Sequence, residues 1–226
     1  MLVTVTDTPA AVLWDMDGTI IDSEPYWMSA ETELVREFGG TWTHEDGLAM
    51  IGNGLPDTAV YMQERGVDLS IEEITQGMTA RVLEQMEAAV PWRPGARELI
   101  TSIFDAGIPM ALATMALTSM AESVAESLRP VSFGAIVAGD QVENSKPHPE
   151  IYEKAAHRLG VDVRHCVAIE DSPLGIQSAF SAGAVTIGVP LMLNLDASLA
   201  HLLWPSLAGK DWSDVVNAFQ EVRGRT

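Results

Sequence analysis

One stretch near the N-terminus constrains the fold more than any other part of the chain. The apolar residues 10–14 are followed by Asp15 and Asp17, with one residue between them, and then by Gly18. An apolar run this short is typical of a buried strand, and Gly18 lets the chain leave that strand sharply. In an open parallel sheet, ligands bind at the carboxyl ends of the strands. The pattern therefore predicts two carboxylates at such an edge, where they repel each other unless a cation or a shared proton intervenes.

Later apolar runs repeat this pattern and predict the fold class. Runs typical of buried strands alternate with helical patterns, and the later runs span residues 109–114, 133–138, 163–169 and 184–189. Strands that alternate with helices favour right-handed βαβ units and a parallel sheet. We therefore predict an α/β fold with a doubly wound, Rossmann-like parallel sheet. Residues 190–210 mix Leu and Met with Pro, Asn and Gly, and we predict no element there.

The segment after the first strand has a different pattern. Residues 22–90 contain helical patterns without a strand signal, and the breaker cluster PWRPG follows at residues 91–95. Ser23 is the predicted N-cap of the first of these helices. An insert rooted beside the paired carboxylates is placed to close over them as a lid. We predict two domains, a Rossmann-like catalytic core of residues 1–21 plus 91–226 and an all-helical cap of residues 22–90.

Composition narrows the choice of partner and compartment. The 226 residues carry 13 basic and 32 acidic side chains, which gives a formal net charge of −19. Nucleic acids and anionic membranes have the same sign, so we expect neither as a partner. No apolar run approaches the about 18 residues that a membrane span needs, and the only cysteine, Cys166, has no partner for an internal disulfide. We expect a cytoplasmic protein and, by default, a monomer.

Three more polar loops follow predicted strands. Thr114 and Met115 end the second strand, where a hydroxyl and backbone N–H groups can hold a phosphoryl oxygen. Such a threonine is otherwise a local cap. Lys146 precedes a proline, which favours an extended backbone, and a cation held there suits a phosphoryl group or a carboxylate; the alternative is an exposed lysine. Glu170 and Asp171 follow the fourth strand and add oxygen ligands of the kind that Mg²⁺ prefers, although Asp171 or Ser172 is also a candidate helix N-cap.

These motifs, in this order, resemble those of the haloacid dehalogenase-like hydrolase superfamily. DMDGT at residues 15–19, SKPHP at 145–149 and EDSPLG at 170–175 carry the resemblance, which covers nearly the whole chain. The helical insert is similar to that of the helical-cap branch, which includes small sugar-phosphate phosphatases and β-phosphoglucomutase. The resemblance implies that Asp15 is the nucleophile that forms an aspartyl-phosphate. It also implies that Asp17 acts first as general acid and then as general base for water.

The same resemblance assigns roles to the other residues of the core. It implies that Thr114 holds the phosphoryl group and that Lys146 neutralises charge around it. It further implies Mg²⁺ as the cofactor. The implied ligands are Asp15, the backbone carbonyl of Asp17, and Asp171, with Glu170 beside them as a direct ligand or one layer behind.

Departures from the family's subgroups narrow the reaction. The second aspartate of the motif, Asp17, argues against the dehalogenases, which lack it and need no metal. Residues 22–90 contain no lysine, which argues against phosphonatases that use a Schiff-base lysine from the cap. Trp27 and Leu55 stand where β-phosphoglucomutase-like proteins carry a histidine and an arginine, which favours simple hydrolysis. Phosphoryl transfer of the mutase type is the alternative, and an inactive regulatory homologue is a remote one because the catalytic residues are present.

The expected substrate is a small phosphorylated metabolite, such as a sugar phosphate, because such a molecule fits beneath a closing lid. The residues expected to contact it are Glu24, Tyr26, Trp27 and Asn53 of the insert and Met115 of the core. For Tyr26 and Trp27, the alternative is a place in the apolar core of the cap.

Overall fold

The strands form one parallel sheet, as the sequence predicts. The structure, a computed structural model, describes residues 8–196 and 199–224, so residues 1–7 of the first predicted segment lie outside the described residues. Within the described part of the chain, six strands pair in the order β3-β2-β1-β4-β5-β6. Their bounds are β1 Ala11–Trp14, β2 Met110–Ala113, β3 Ala135–Val137, β4 Cys166–Glu170, β5 Val185–Gly188 and β6 Leu202–Leu203.

The first strand lies in the middle of the sheet, where the direction of winding reverses. The chain proceeds from β1 to β2 and β3 on one side and then crosses to β4 and β5 on the other. Trp14 pairs with Leu112 of β2 and with Ile169 of β4. This register places the carboxyl ends of the three central strands side by side. Such a switch point is where open α/β sheets bind ligands.

Alternate residues of β1 pack into two separate apolar layers. Val12 and Trp14 lie in one layer, and Ala11 and Leu13 lie in the other, all fully buried. A strand covered on both faces is expected to be continuously apolar. The first layer is completed by α5 (Ala96–Asp105), α6 (Thr118–Glu126) and α9 (Trp212–Arg223), and the second by α7 (Glu150–Leu159) and α8 (Pro173–Ala182).

Four helices lie between β1 and α5. They are α1 (Glu24–Glu37), α2 (His44–Met50), α3 (Leu55–Gln63) and α4 (Ile71–Met86), and α4 packs against both α1 and α3. Capping boxes begin two of them: the Thr43 side chain accepts from the Asp46 N–H in α2, and Ser70 accepts from Glu73 in α4. No helix in the described ranges is long and apolar enough to cross a membrane.

The two connections between these helices and the sheet pair with each other. Ile21 forms an antiparallel bridge with Trp92, and the Arg93 N–H donates to the Ile20 carbonyl at 2.9 Å. The Asp22 N–H donates to the Pro91 carbonyl at 2.7 Å. Both connections therefore pass directly beside the loop that carries the paired aspartates.

Some elements differ from their predicted boundaries. Residues 163–165 form a 3₁₀ turn rather than the start of β4, because the Asp162 side chain accepts from the Arg164 N–H. Strand β3 begins two residues later than predicted, at Ala135. Strand β6 lies in the segment 190–210, which had no predicted element, and its pairing with β5 is a tertiary contact that the local pattern does not show.

Candidate active site

The loop after β1 is tight and fits closely against the loop after β4. Gly18 has a φ of +83°, and a Cβ atom on it would lie 2.1 Å from Oδ2 of Asp171. Both observations require glycine at this position. The glycine therefore brings Asp15 and Asp17 close to the acidic residues of the neighbouring strand.

Lys146 bridges two buried carboxylates. Its Nζ donates to Oδ1 of Asp15 at 2.7 Å and to Oε1 of Glu170 at 2.6 Å, and its side chain is 2% exposed. Burial disfavours the charge on Lys146, but Asp15 and Glu170 together outweigh burial and raise its pKa above the ordinary value. The lysine is a fixed cation in the site, and the alternative of an exposed lysine is wrong.

Glu170 is saturated with donors from the protein itself. Its Oε1 also accepts from the Tyr152 hydroxyl at 3.0 Å, and its Oε2 accepts from the N–H groups of Asp171 and Ser172 and from the Ser172 hydroxyl. A Cβ atom on Gly175 would lie 1.6 Å from Oε1 of Glu170, so this close fit requires glycine. The five hydrogen bonds fix Glu170 as the partner that orients Lys146 and the loop after β4.

The acidic cluster has the chemistry of a site for a hard cation. Asp15, Glu170 and Asp171 each offer a carboxylate oxygen within 4.8 Å of the others. Oδ2 of Asp15 is buried and has no hydrogen-bond partner among the described residues. Burial first, and then the neighbouring carboxylates, raise the pKa of Asp15 and of Asp171. These residues fit Mg²⁺, because a divalent cation relieves the repulsion and Asp15 has an oxygen available.

Asp17 is held from both sides of the site. On the insert side, its Oδ1 accepts from the Ser23 hydroxyl at 2.6 Å and from Nε1 of Trp27 at 3.1 Å. On the sheet side, its Oδ2 accepts from the Thr114 hydroxyl at 3.2 Å, which itself accepts from the Ala116 N–H. Ser23 makes no side-chain hydrogen bond to the start of α1. Ser23 therefore stands at the predicted N-cap position of α1, but its hydroxyl binds Asp17 instead of capping the helix.

The cavity at the strand ends is lined from the sheet and from the insert. Most of the predicted site residues line it, namely Asp15, Asp17, Glu24, Trp27, Asn53, Thr114, Met115, Lys146 and Asp171. Tyr26 is not among the lining residues, and its half-buried ring packs on the apolar layer instead. Glu170 lies behind the lining. Glu31 and Thr58 line the cavity but were missed, because a helix face cannot be oriented from local sequence alone.

Arg93 is a further residue that the sequence reasoning missed. Its buried guanidinium donates to the Gly18 carbonyl at 2.5 Å, the Val189 carbonyl at 2.8 Å and the Pro190 carbonyl at 3.1 Å. It therefore ties the loop of the paired aspartates to the end of β5. The cluster PWRPG predicts a turn here but does not indicate which carbonyl groups the arginine binds.

Comparisons with known proteins give one family. A family model described as haloacid dehalogenase-like hydrolase matches residues 12–189. Hexitol phosphatase B of Escherichia coli is 34% identical over 192 residues, covering 80% of this chain and 83% of that protein. A phosphorylated carbohydrates phosphatase of Thermotoga maritima is 31% identical over 226 residues, covering 94% of this chain and 99% of that protein. A CbbY variant of Rhodobacter sphaeroides, solved in complex with xylulose-1,5-bisphosphate, superposes with a TM-score of 0.83 at 27% identity. The superposition covers 92% of this chain and 99% of the CbbY chain.

The match and the geometry agree. The matched range includes all four strand-end loops and the insert between the first two. The relatives are named as phosphatases, which confirms the predicted enzyme class, a phosphoric monoester hydrolase. The chain belongs to the haloacid dehalogenase-like hydrolase family.

Proposed function

We propose that the protein is a magnesium-dependent phosphatase that hydrolyses a small sugar phosphate or similar monoester through an aspartyl-phosphate on Asp15. The observation that carries this proposal is the ion network at the strand ends. Lys146 holds one oxygen of Asp15 at 2.7 Å, and the other oxygen is buried without a partner. The names of the relatives, a hexitol phosphatase and a phosphorylated carbohydrates phosphatase, support the substrate class.

Mg²⁺ would be held by the carboxylates of Asp15 and Asp171 and, as in the family, by the backbone carbonyl of Asp17. When bound, it supplies positive charge that lets an anionic phosphate approach an anionic nucleophile. Glu170 supports this site from behind, because its oxygens already accept five hydrogen bonds. We therefore assign Glu170 as a positioning residue rather than a direct ligand.

The first chemical step transfers the phosphoryl group to the protein. A carboxylate oxygen of Asp15 forms a bond to phosphorus while the bond from phosphorus to the ester oxygen breaks. Protonated Asp17 gives its proton to that leaving oxygen. Thr114 and Lys146 stabilise the charge on the phosphoryl oxygens and on Asp15.

The second step returns the enzyme to its starting state. Asp17, now a carboxylate, takes a proton from a water molecule whose oxygen attacks phosphorus. The bond between phosphorus and Asp15 breaks, and inorganic phosphate leaves. Asp17 then carries the proton that the next cycle needs.

The helices α1–α4 are proposed as the cap of this site, within the predicted domain of residues 22–90. Their two connections to the sheet pair beside the aspartate loop, where a hinge would act directly on the site. Ser23 and Trp27, at the start of the insert, hold Asp17. Closure of the cap and placement of the general acid are therefore coupled in this proposal. The cytoplasmic compartment and the monomeric state stay predictions.

Hydrolysis of p-nitrophenyl phosphate tests the proposal. We expect turnover with Mg²⁺ and its loss with a chelator, restored by excess Mg²⁺. Folded protein with no turnover under any of these conditions would remove the phosphatase assignment.

The mutase alternative has a separate test. β-Glucose 1-phosphate, supplied with a catalytic amount of the bisphosphate, should give inorganic phosphate or no reaction. Glucose 6-phosphate as the main product would replace hydrolysis by phosphoryl transfer.

A further inference from the structure

The guanidinium of Arg93 lies where the two connections of the insert meet the sheet. Arg93 is 8% exposed, and its side chain donates to the carbonyl groups of Gly18, Val189 and Pro190. Its backbone N–H donates to the Ile20 carbonyl at 2.9 Å. One residue of the second connection therefore holds the first connection at two points and the end of β5 at two more.

The contacts of Val189 extend this link to the acidic cluster. Its N–H donates to the Glu170 carbonyl at 2.7 Å, while its own carbonyl accepts from Arg93 at 2.8 Å. On the other side of the guanidinium, Gly18 lies so close to Asp171 that a Cβ atom would meet the carboxylate. Arg93 therefore connects the turn at Gly18 to the end of the strand that carries both acidic residues.

The guanidinium is a buried charge without an ion pair. Its acceptors are carbonyl groups, and no described carboxylate forms a salt bridge with it. Burial lowers the pKa of Arg93, and the charges of Asp171 and Asp22 oppose that change. A buried charge with neutral partners is unfavourable, and an apolar side chain would fill this space with a smaller loss of stability. The arginine is therefore better explained by the groups that it holds together than by packing.

The aspartate loop, residues 15–21, is closed on itself by its backbone. The Met16 carbonyl accepts from three N–H groups within the loop, and the Gly18 N–H donates to the Ile21 carbonyl at 2.8 Å. These bonds maintain the shape of the turn, whereas the guanidinium links the turn to the neighbouring strand ends. The separation between this loop and the loop after β4 sets the space for the cation of the proposed site.

We propose that Arg93 is a positioning residue that holds the aspartate loop against the loop after β4 before Mg²⁺ binds. Three hydrogen bonds from one planar group fix the ends of β1 and β5 relative to each other, so the ligand oxygens are already arranged in the metal-free protein. The inference rests on the metal site of the proposed function. It adds a residue that does not line the cavity and acts through the backbone of the loop.

Hydrogen exchange in the metal-free protein tests this role without any catalytic step. Divalent ions are removed with a chelator, and peptides that contain residues 15–21 are followed by mass spectrometry. In the wild type, we expect the amide groups of the loop to exchange about a hundredfold or more slowly than in an unstructured peptide. In Arg93→Met, exchange of the same amide groups should be faster by about tenfold or more.

The affinity for Mg²⁺ gives a second measurement. Loss of a residue that supports metal ligands typically weakens metal binding by about tenfold to a hundredfold, so calorimetry should show the Kd for Mg²⁺ raised by about tenfold or more in Arg93→Met. Arg93→Lys keeps the cation but not the planar group that reaches three carbonyls. Its loop exchange and its Kd should lie between those of the wild type and Arg93→Met.

Arg97→Met is the matched control. Arg97 is exposed on α5, and its guanidinium lies 5.5 Å from the ring centre of Trp92, in the same connection as Arg93. The control should keep the loop exchange and the Mg²⁺ affinity of the wild type.

A folded Arg93→Met protein with loop exchange and a Kd for Mg²⁺ within about twofold of the wild type would overturn the inference, even if its free energy of unfolding were lower. Equal changes in Arg97→Met would do the same, as would a metal-free wild type whose loop exchanges as fast as an unstructured peptide. If Arg93→Met does not fold, Arg93→Lys and the metal-free wild type decide by the same criteria.

The proposed function can fail separately. Wild-type protein that binds Mg²⁺ but hydrolyses no phosphate ester would overturn the phosphatase assignment and leave the role of Arg93 in place. Absence of Mg²⁺ binding by folded wild-type protein would overturn both.

Discussion

The charged groups on the two sides of the cavity differ in the hydrogen-bond partners that the protein gives them. On the sheet side, Lys146 contacts Asp15 and Glu170 within 2.7 Å, and Glu170 also accepts from Tyr152 and the loop after β4. On the insert side, Glu24 is nearly as buried, but none of the described residues donates a hydrogen bond to it. A group that acts on every substrate can be held in advance by the protein. A carboxyl group on the cavity wall that no protein donor holds stays available to a donor from a ligand.

The largest expected effect is on the sheet side, at the nucleophile. Asp15→Asn removes the attacking carboxylate but keeps its shape and its contact with Lys146. We expect kcat for p-nitrophenyl phosphate to fall by about a thousandfold or more, while the circular dichroism spectrum stays that of the wild type. Activity within about tenfold of the wild type would show that another group attacks phosphorus.

Lys146→Met should harm both activity and stability. The change leaves Asp15 and Glu170 buried without their shared cation, which is expected to lower the free energy of unfolding by about 3–5 kcal/mol. Activity should fall by about a hundredfold or more. Denaturant unfolding and steady-state kinetics measure the two effects.

Lys210→Met is the control for charge removal. Its partner is Asp214, and both side chains are about one-third exposed, at 29% and 32%. The cost there should stay below about 1 kcal/mol. Equal costs at the two lysines would contradict the special role of the buried network.

Trp27→Phe tests the contact between the two sides. It keeps an aromatic ring but removes the N–H that donates to Asp17 at 3.1 Å. We expect kcat to fall by about tenfold with a smaller change in KM, because the general acid loses a positioning contact. Trp212→Phe on α9, away from the cavity, should leave both constants near those of the wild type. A change in KM alone would make Trp27 a substrate contact, as the sequence analysis expects.

The smallest expected effect is on stability, at the insert wall. Burial raises the pKa of Glu31 from 4.5 to about 8, against the opposing hydrogen bond from Trp42. The folded protein thus keeps a proton that the unfolded chain releases as pH rises through this window. Glu31 therefore makes the unfolding free energy fall between about pH 4.5 and 8.

Glu31→Gln should make the free energy of unfolding less dependent on pH and raise it at pH 8 by on the order of 1 kcal/mol. The amide keeps an acceptor for Trp42, and Glu24 retains part of the slope because its pKa is also raised. Glu33→Gln, on the same helix and exposed, should keep the wild-type slope. If the unfolding free energy of Glu31→Gln changed with pH as steeply as that of the wild type, ionisation of buried Glu31 would cost the folded protein nothing, against this prediction.

The same two regions differ in how far the sequence predicts them. Much of the sheet side is predictable because Asp15, Thr114 and Asp171 each come directly after a buried strand, so a local pattern places them at strand ends. The contacts that hold these residues in place cannot be predicted from local sequence. Tyr152 and Arg93 reach their partners only after helices and connections have packed.

The insert side is less predictable from the sequence because its residues lie on helices whose orientation depends on packing. Tyr26 and Trp27 are neighbours in sequence, yet only Trp27 lines the cavity. Ser23 has the local pattern of a helix cap, but its hydroxyl binds Asp17 at 2.6 Å. In both cases a tertiary contact decides between two readings that local sequence leaves open.

Detection of the covalent intermediate tests the central claim most directly. Wild-type protein with Mg²⁺ and sorbitol 6-phosphate is quenched in acid during the first turnover, and peptides are analysed by mass spectrometry. We predict a phosphoryl group on the peptide that contains Asp15 and none on that peptide in Asp15→Asn. Release of inorganic phosphate in the first turnover with no phosphorylated peptide, or with the phosphoryl group on another residue, would contradict the account.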